Sequence, residues 1–534
     1  MINRLDELVP AADTNDPRTA VDAGDGFLLR QGYTLAWAGW DPDSPTRNHG
    51  MVAHIPALAD VVQEIRDEFV SQTRGPALTQ FNVSYAAAGI DQPAARLTVR
   101  SREADSPTVV PAAQWRFIDA RTIALLPDGT MPAPGAIYEF AYRARAPWVS
   151  GIGFAIERDV VAFLRANKPD DAGTPNPAGG GVRAAIGFGI SQSSRFLRDF
   201  IAHGFNQDET GHQVFDGVLA HIGGIGTMFL NDLYAQPFRT RTQHEDHTMP
   251  ENAFPFSAAV TRDPISAKSG SLLRHDGFDP KLIETNTDAE YWQKGASLLA
   301  TDPRGQHDLD LPATTRLYLI AGSQHTGRFG ATDARGPCAN PRNPHDPYPA
   351  LRALLVALDR WVTDGTAPPP NRIPRLADGT LVHFARLDFP KLPGLAPPGP
   401  PDAIDPPGDW VHPTPVASSY VPLVPAVDAD GNDRAGLKLP DLAVPLATLT
   451  GWNVYAAPFP VDEACGRDGS SSPFARSAAT RAQGDPRRSL VERHASRAHY
   501  IALVQAASAQ LVRDRLLLSE DAQRYVTQAQ AAPF

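Results

Sequence analysis

Apolar residues recur along this chain with more than one period, and the changes of period divide it. From about 78 to 147 short runs alternate polar with apolar: Arg96-Leu-Thr-Val-Arg, Gln114-Trp-Arg-Phe-Ile and Ile137-Tyr-Glu-Phe-Ala-Tyr. Period two with turns between the runs predicts an antiparallel β insertion. From about 148 to 366 compact apolar runs alternate with helical patterns instead. The runs are Arg183-Ala-Ala-Ile-Gly-Phe, Gly217-Val-Leu-Ala-His-Ile-Gly, Lys281-Leu-Ile-Glu-Thr and Thr315-Arg-Leu-Tyr-Leu-Ile-Ala. Helices are predicted over 151–167, where Phe154, Ile156, Val160, Val161 and Leu164 fall at helical spacing, and over 290–300 and 348–363. Apolar strands alternating with helices predict an α/β fold with a mostly parallel sheet covered on both faces.

The flanks read differently. Gly24 to Gly32 looks like a short helix closed by a C-capping glycine, followed by a buried strand, Tyr33-Thr-Leu-Ala-Trp-Ala. Residues 226–279 lack regular periodicity and read as an excursion or lid. Fourteen of the 51 prolines lie between Pro368 and Pro415. That stretch excludes helix and central strand, because proline fixes φ and has no N–H, so an extended surface crossing or a linker is expected. Arg487–Leu517 and Glu520–Ala531 look helical. The expected divisions are 1–77, 78–147, 148–366 and a proline-rich C-terminal extension, 367–534.

Composition narrows the function classes. At 534 residues, 42% hydrophobic and 20% charged, the chain can bury a large core. A net charge of −11 argues against nucleic acid or an anionic membrane as the main partner. No apolar run reaches the roughly 18–20 residues of a membrane span, and the first residues lack the apolar stretch of a secretory signal. A cytoplasmic protein is the expectation for the sequence as written, with export open for a longer N-terminus. Cys338 and Cys465 read as two reduced thiols, with a single bridge as the alternative.

The chemistry concentrates at Gly187-Phe-Gly189-Ile-Ser191-Gln-Ser193. A serine between a buried strand and a helix, with small residues two before and two after, has the form of a nucleophile elbow. Ser193 replaces the usual second glycine and keeps the small size. The helix start supplies N–H groups for an oxyanion, Gln192 first among them. Such an elbow requires an acid and then a histidine after later strands. The run 281–285 leads into Asp288 and Glu290, and 315–321 leads into His325; Glu290 is the preferred acid, with Asp288 as a helix cap. A dinucleotide-binding reading of Gly187-Phe-Gly189 fails because Gln192 stands where the third glycine belongs.

Several further segments resemble a bacterial and fungal family of large α/β-hydrolase-domain proteins, assigned as serine carboxylesterases. They are the elbow through Arg198, Gly204-Phe-Asn-Gln-Asp-Glu-Thr-Gly, Asn286-Thr-Asp-Ala-Glu-Tyr-Trp, Gly322-Ser-Gln-His, Cys338-Ala-Asn-Pro-Arg-Asn-Pro and Gly484-Asp-Pro-Arg-Arg-Ser-Leu-Val-Glu-Arg. The resemblance spans nearly the whole chain. It implies the hydrolase fold and a Ser191–Glu290–His325 triad, and says little of the substrate; the triad chemistry itself predicts hydrolysis of a small-molecule ester with no cofactor or metal needed. Such proteins normally begin with further strands, so the second oxyanion N–H is expected either from Asn3–Leu5 or from Gly39-Trp40.

Other residues are weaker candidates. His221 and Trp292 are expected in the pocket wall or core, Phe329 likewise, and Arg195 as a brace one turn beyond the serine. Asp216 precedes its strand and is poorly placed as the acid. His244-Glu-Asp-His247 has metal-capable side chains but reads as a solvated lid loop. The same triad would also serve an acyltransferase or a lactonase, and an inactive hydrolase-like binding protein is the alternative from another class. Oligomeric state is not legible.

Overall fold

Antiparallel pairing takes up the alternating runs of the N-terminal third. The computed structural model of the chain describes residues 24–42, 51–71, 79–327, 335–414 and 418–532. Strands β1 (Val62–Val70), β7 (Ile137–Arg145), β3 (Arg96–Arg100) and β4 (Thr108–Val110) lie in that order in one antiparallel sheet. A second sheet runs β2 (Gln80–Asn82), β6 (Thr122–Leu125), β5 (Trp115–Asp119). Ile65, Leu97, Ile123 and Phe140 meet in their shared core. Pairing begins at Val62, ahead of the first alternating run. Strand β1 hides from a hydropathy reading because Arg66, Asp67 and Glu68 are buried on it. Arg66 pairs with Glu139, and Asp67 with Arg239 from the lid.

The apolar runs of the middle third form the parallel sheet. Strands β8 (Ile186–Ile190), β9 (Gly217–His221), β10 (Lys281–Thr287) and β11 (Thr315–Ile320) lie side by side in chain order, all parallel. Both faces are covered, which is why these strands read as continuous apolar runs. Counting helices from α1 (Phe27–Arg30), α2 (Ile152–Arg165) and α3 (Gln192–Ala202) pack on the face presenting Val218, Ala220 and Leu282. The other face presents Leu219, Ile283 and Tyr318 to α5 (Tyr348–Asp364), numbered after α4 (Asp288–Gln293). Helices α6 (Arg497–Arg513) and α7 (Ser519–Ala531) join that core through Tyr500, Val504, Tyr525 and Ala529.

Two expectations need correction here. Tyr33–Ala38 is not a buried strand: Tyr33, Leu35 and Trp37 are half-buried while Thr34 and Ala36 are exposed, so the segment packs by one face only. The proline-rich stretch is not a free linker, since it buries Leu392, Leu395 and Ile404. Its Arg372, and Leu437 further on, bridge the open edge of β11 at Tyr318 and Ile320. Leu319 N–H donates to the Arg372 carbonyl at 2.9 Å and Leu437 N–H to that of Leu319 at 2.7 Å, closing an edge that would otherwise invite pairing with another chain.

The cysteines are also not free. Cys338 and Cys465 form a disulfide across a separation of 127 residues, at a Cα–Cα distance of 5.5 Å. Sequence spacing carries no signal for such a contact, because only the folding of the C-terminal extension onto the sheet brings the two together. Closing a loop of that size restricts the unfolded chain. Reduction, or Cys338→Ser with Cys465→Ser, is therefore expected to lower stability by about 5 kcal/mol. Denaturant unfolding with and without reductant measures this, and an unchanged midpoint would contradict it.

Candidate active site

The carboxyl ends of the four parallel strands meet at one place. Ile190 is level with His221, and His221 with Thr285, so the segments leaving β8, β9 and β10 emerge together. Ser191 follows β8 immediately and caps α3 with φ 56° and ψ −111°. That conformation is strained for a residue with a side chain, and its cost is of order 1–3 kcal/mol. The turn persists because it is tied down: Ser191 N–H donates to the His221 carbonyl at 2.8 Å, and Arg195 N–H to the Ser191 carbonyl at 3.0 Å. Gly189 has no room for a side chain. A Cβ there would overlap the Ser193 carbonyl and come within 2.7 Å of the Ser194 nitrogen.

His325 and Glu290 complete a chain of hydrogen bonds from the serine. Ser191 Oγ lies 2.9 Å from His325 Nε2, and His325 Nδ1 lies 2.5 Å from Glu290 Oε1. Glu290 sits at the third position of α4, where Thr287 caps the helix. The Thr287 N–H (2.9 Å) and hydroxyl (2.5 Å) both donate to Glu290 Oε2. One carboxylate oxygen thus belongs to the cap and the other to the histidine. Burial pushes the Glu290 carboxyl up, but His325 and the Thr287 donors outweigh it and hold the group below its ordinary range. Burial drives the His325 imidazole down to about 4, against the upward pull of Glu290.

The loop carrying His325 is held from the C-terminal extension. Gly322 N–H donates to Asp433 Oδ2 at 2.7 Å, and its carbonyl accepts from Asn343 Nδ2 at 2.6 Å. Gln324 Oε1 accepts from Gly469 N–H at 2.8 Å. Sequence reasoning missed Thr287, Asp433, Asn343 and Gly469. Only the capping pattern of Thr287 with Glu290 was readable in advance.

The other candidates separate. Asp288 does not reach the histidine: its Oδ2 accepts from Gly451 N–H at 2.8 Å, and the helix cap expected of it belongs to Thr287. His221 is buried in the sheet, with Nδ1 2.8 Å from Thr285 Oγ1. Trp292 stands in an aromatic core with Trp452 and Phe384. Arg195 is fully buried and braces the lid, donating to the carbonyls of Arg239 (3.1 Å) and Pro237 (3.2 Å) and pairing with Glu251 at 3.2 Å. Asp216 is engaged by Arg165 at 2.5 Å. Gln192 is the first residue of α3, so its N–H has no acceptor within the helix. The Trp40 ring stacks on Phe196 at 4.8 Å and its carbonyl lies against Gly153, which holds the Gly39–Trp40 backbone beside α2 and α3. Asn3–Leu5 and Phe329 lie outside the described residues.

The expected solvated loop at 244–247 is instead an interior contact. His244 is 1% exposed, its Nδ1 2.5 Å from Glu463 and its Nε2 2.8 Å from the Gly135 carbonyl, while Asp246 pairs with Arg239 at 3.1 Å. The lid is buried because Tyr234, Arg239 and His244 staple it to the β insertion, an arrangement that no local periodicity announces. Among the described residues no group of three or more His, Cys, Asp or Glu side chains is placed to hold a metal ion. No helix among them is long and apolar enough to cross a membrane.

A parallel sheet with a serine on a strained strand-to-helix turn, followed in chain order by an acid and a histidine, defines an α/β hydrolase. Comparison of sequences agrees: the family described as alpha/beta hydrolase domain matches residues 115–527, and the chain belongs to that family. No curated protein and no solved structure matches it.

Proposed function

We propose that this protein is a serine carboxylesterase that hydrolyses a small-molecule ester through an acyl-serine intermediate. One observation carries the reading: Ser191 Oγ, His325 and Glu290 stand in a continuous hydrogen-bonded line at 2.9 and 2.5 Å. His325 Nε2 takes the proton of Ser191 as Oγ bonds to the ester carbonyl carbon. The oxyanion is met by the Gln192 N–H, with the Gly39–Trp40 backbone as the nearby candidate for a second donor. The carbon–oxygen bond to the alcohol then breaks and His325 returns the proton to the departing oxygen. Water, deprotonated by His325, attacks the acyl carbon, and Ser191 leaves with the proton. Glu290 keeps the imidazole proton on Nδ1 and stabilises the imidazolium. The Cys338–Cys465 bridge favours an oxidising setting for the folded protein.

A fluorophosphonate probe tests the class: covalent labelling of Ser191 is expected, and an inert serine would leave only a binding role. The pH profile tests the assignment of the base. His325 must be neutral to accept the proton, and burial holds its pKa at about 4. Activity is therefore present above that value and lost as pH falls through it. The acid limb of kcat/KM for a p-nitrophenyl ester is expected near pH 4; a limb at the ordinary histidine value of about 6.5 would contradict the burial argument.

A further inference from the structure

Glu290 and His325 reach each other from two separate loops, and the strands behind them stop short of the contact. The ladder between β10 and β11 ends at Thr287 opposite Ile320, so both residues lie beyond it. A hairpin of the C-terminal extension, β12 (Ala447–Thr450) with β13 (Ser470–Pro473), ends against these loops. Its last pair is Thr450 with Ser470, flanked by Gly451 and Gly469. Gly469 N–H donates to Gln324 Oε1 at 2.8 Å. The Thr450 carbonyl accepts at 2.9 Å from Asn343 Nδ2, the same group that holds the Gly322 carbonyl.

Gly451 is where the two loops meet. Its N–H donates to Asp288 Oδ2 at 2.8 Å. A Cβ on it would lie 2.5 Å from the Asp288 Cβ, 2.6 Å from the Ala289 nitrogen and 2.5 Å from the Ser323 carbonyl oxygen. Its α-carbon is thus pressed against the start of α4 and the histidine loop at once. Asp288 is the first residue of α4 and Glu290 the third, on one turn capped by Thr287. Fixing Asp288 against Gly451 therefore fixes Glu290 relative to Ser323, two residues before His325. Charge is not what Asp288 contributes. Burial, Asp433 and Glu290 raise its carboxyl well above the ordinary range, against the hydrogen bonds from Gly451 and Trp292. The neutral side chain keeps an acceptor for the Gly451 N–H and adds no second carboxylate to compete with Glu290 for the histidine.

We propose that Asp288 is a positioning residue: through Gly451 it sets the Glu290 carboxylate in register with His325. The inference rests on the serine-esterase reading, in which that contact orients the base. Asp288 touches neither the substrate nor the reacting atoms, yet a misplacement of about 1 Å in such a line costs about 10²-fold in rate.

Asp288→Ala, Asp288→Asn and Gly451→Ala in the full-length protein test it, each assayed well below its melting temperature. Asp288→Ala is expected to lower kcat for p-nitrophenyl esters by about tenfold to hundredfold with KM little changed, since the loss falls on the base and not on binding. Asp288→Asn keeps the neutral acceptor and should retain most of the rate. Gly451→Ala should resemble Asp288→Ala, because its methyl group parts the two loops. A merely structural role would not move the far-downfield proton resonance of His325 Nδ1–H. That resonance is expected to shift or broaden in the two alanine variants and to stay in place in Asp288→Asn. Full kcat or an unmoved resonance in folded Asp288→Ala overturns the inference, as does an Asp288→Asn variant impaired as much as Asp288→Ala. Those outcomes leave the esterase standing. If the unsubstituted protein neither hydrolyses the esters nor takes a fluorophosphonate on Ser191, the esterase reading falls and the inference with it.

Discussion

Ser191→Ala is expected to lower kcat for p-nitrophenyl esters by at least about 10⁴-fold, because it removes the hydroxyl that the proposed mechanism acylates. The hydroxyl it removes is the atom 2.9 Å from His325 Nε2. The residual rate would come from oxyanion donors and binding alone. Ester series from acetate to octanoate, run on both proteins, measure the serine-dependent part and size the acyl pocket. The same position offers a second readout. Ser191 holds φ 56°, so Ser191→Gly is expected to abolish turnover while raising stability by about 1 kcal/mol, as strain is released. A glycine variant that is both inactive and less stable would mean that the turn stores no strain.

Glu290→Gln is expected to cost about 10³–10⁴ in kcat, and its cause can be followed atom by atom. The carboxylate has two duties: Oε2 accepts from the Thr287 N–H and hydroxyl, and Oε1 accepts from His325 Nδ1. An amide satisfies the cap with its carbonyl oxygen and must then turn its NH₂ toward the histidine. His325 Nδ1 would become the acceptor, and the ring proton would move to Nε2, where the proton of Ser191 has to go. The fold is retained and the tautomer is wrong. Circular dichroism and thermal melting should show little change while kcat falls; a variant that keeps full rate would remove Glu290 from the triad and reopen the choice of acid.

Much of this arrangement was readable before any coordinates, and the reason is local. A strand-to-helix serine needs small neighbours, so Gly189 and Ser193 announce the elbow. The order serine, acid, histidine follows from strands laid down in chain order, which buried apolar runs reveal. Glu290 could be preferred to Asp288 on sequence grounds, and the geometry now separates them, because the third position of a helix turns one carboxylate oxygen to the cap and frees the other. What failed was the reading of charged and irregular segments. Strand β1 carries buried ion pairs, and the lid is held by Tyr234, Arg239 and His244. Of the two readings of the proline-rich stretch, surface crossing or linker, its described residues exclude the free linker, since Leu392, Leu395 and Ile404 pack inward.

Sequence by itself determined the parallel sheet and pointed to the strand-to-helix serine, to Glu290 or Asp288 as its acid and to His325, since each depends on contacts within a few residues or on strand order. Tertiary structure alone decided the rest. The Cys338–Cys465 bridge and the Asp433 and Gly469 contacts to the histidine loop all join segments more than a hundred residues apart in the chain. Their partners are set by how the C-terminal extension wraps the sheet, and no periodicity in the residues encodes that path.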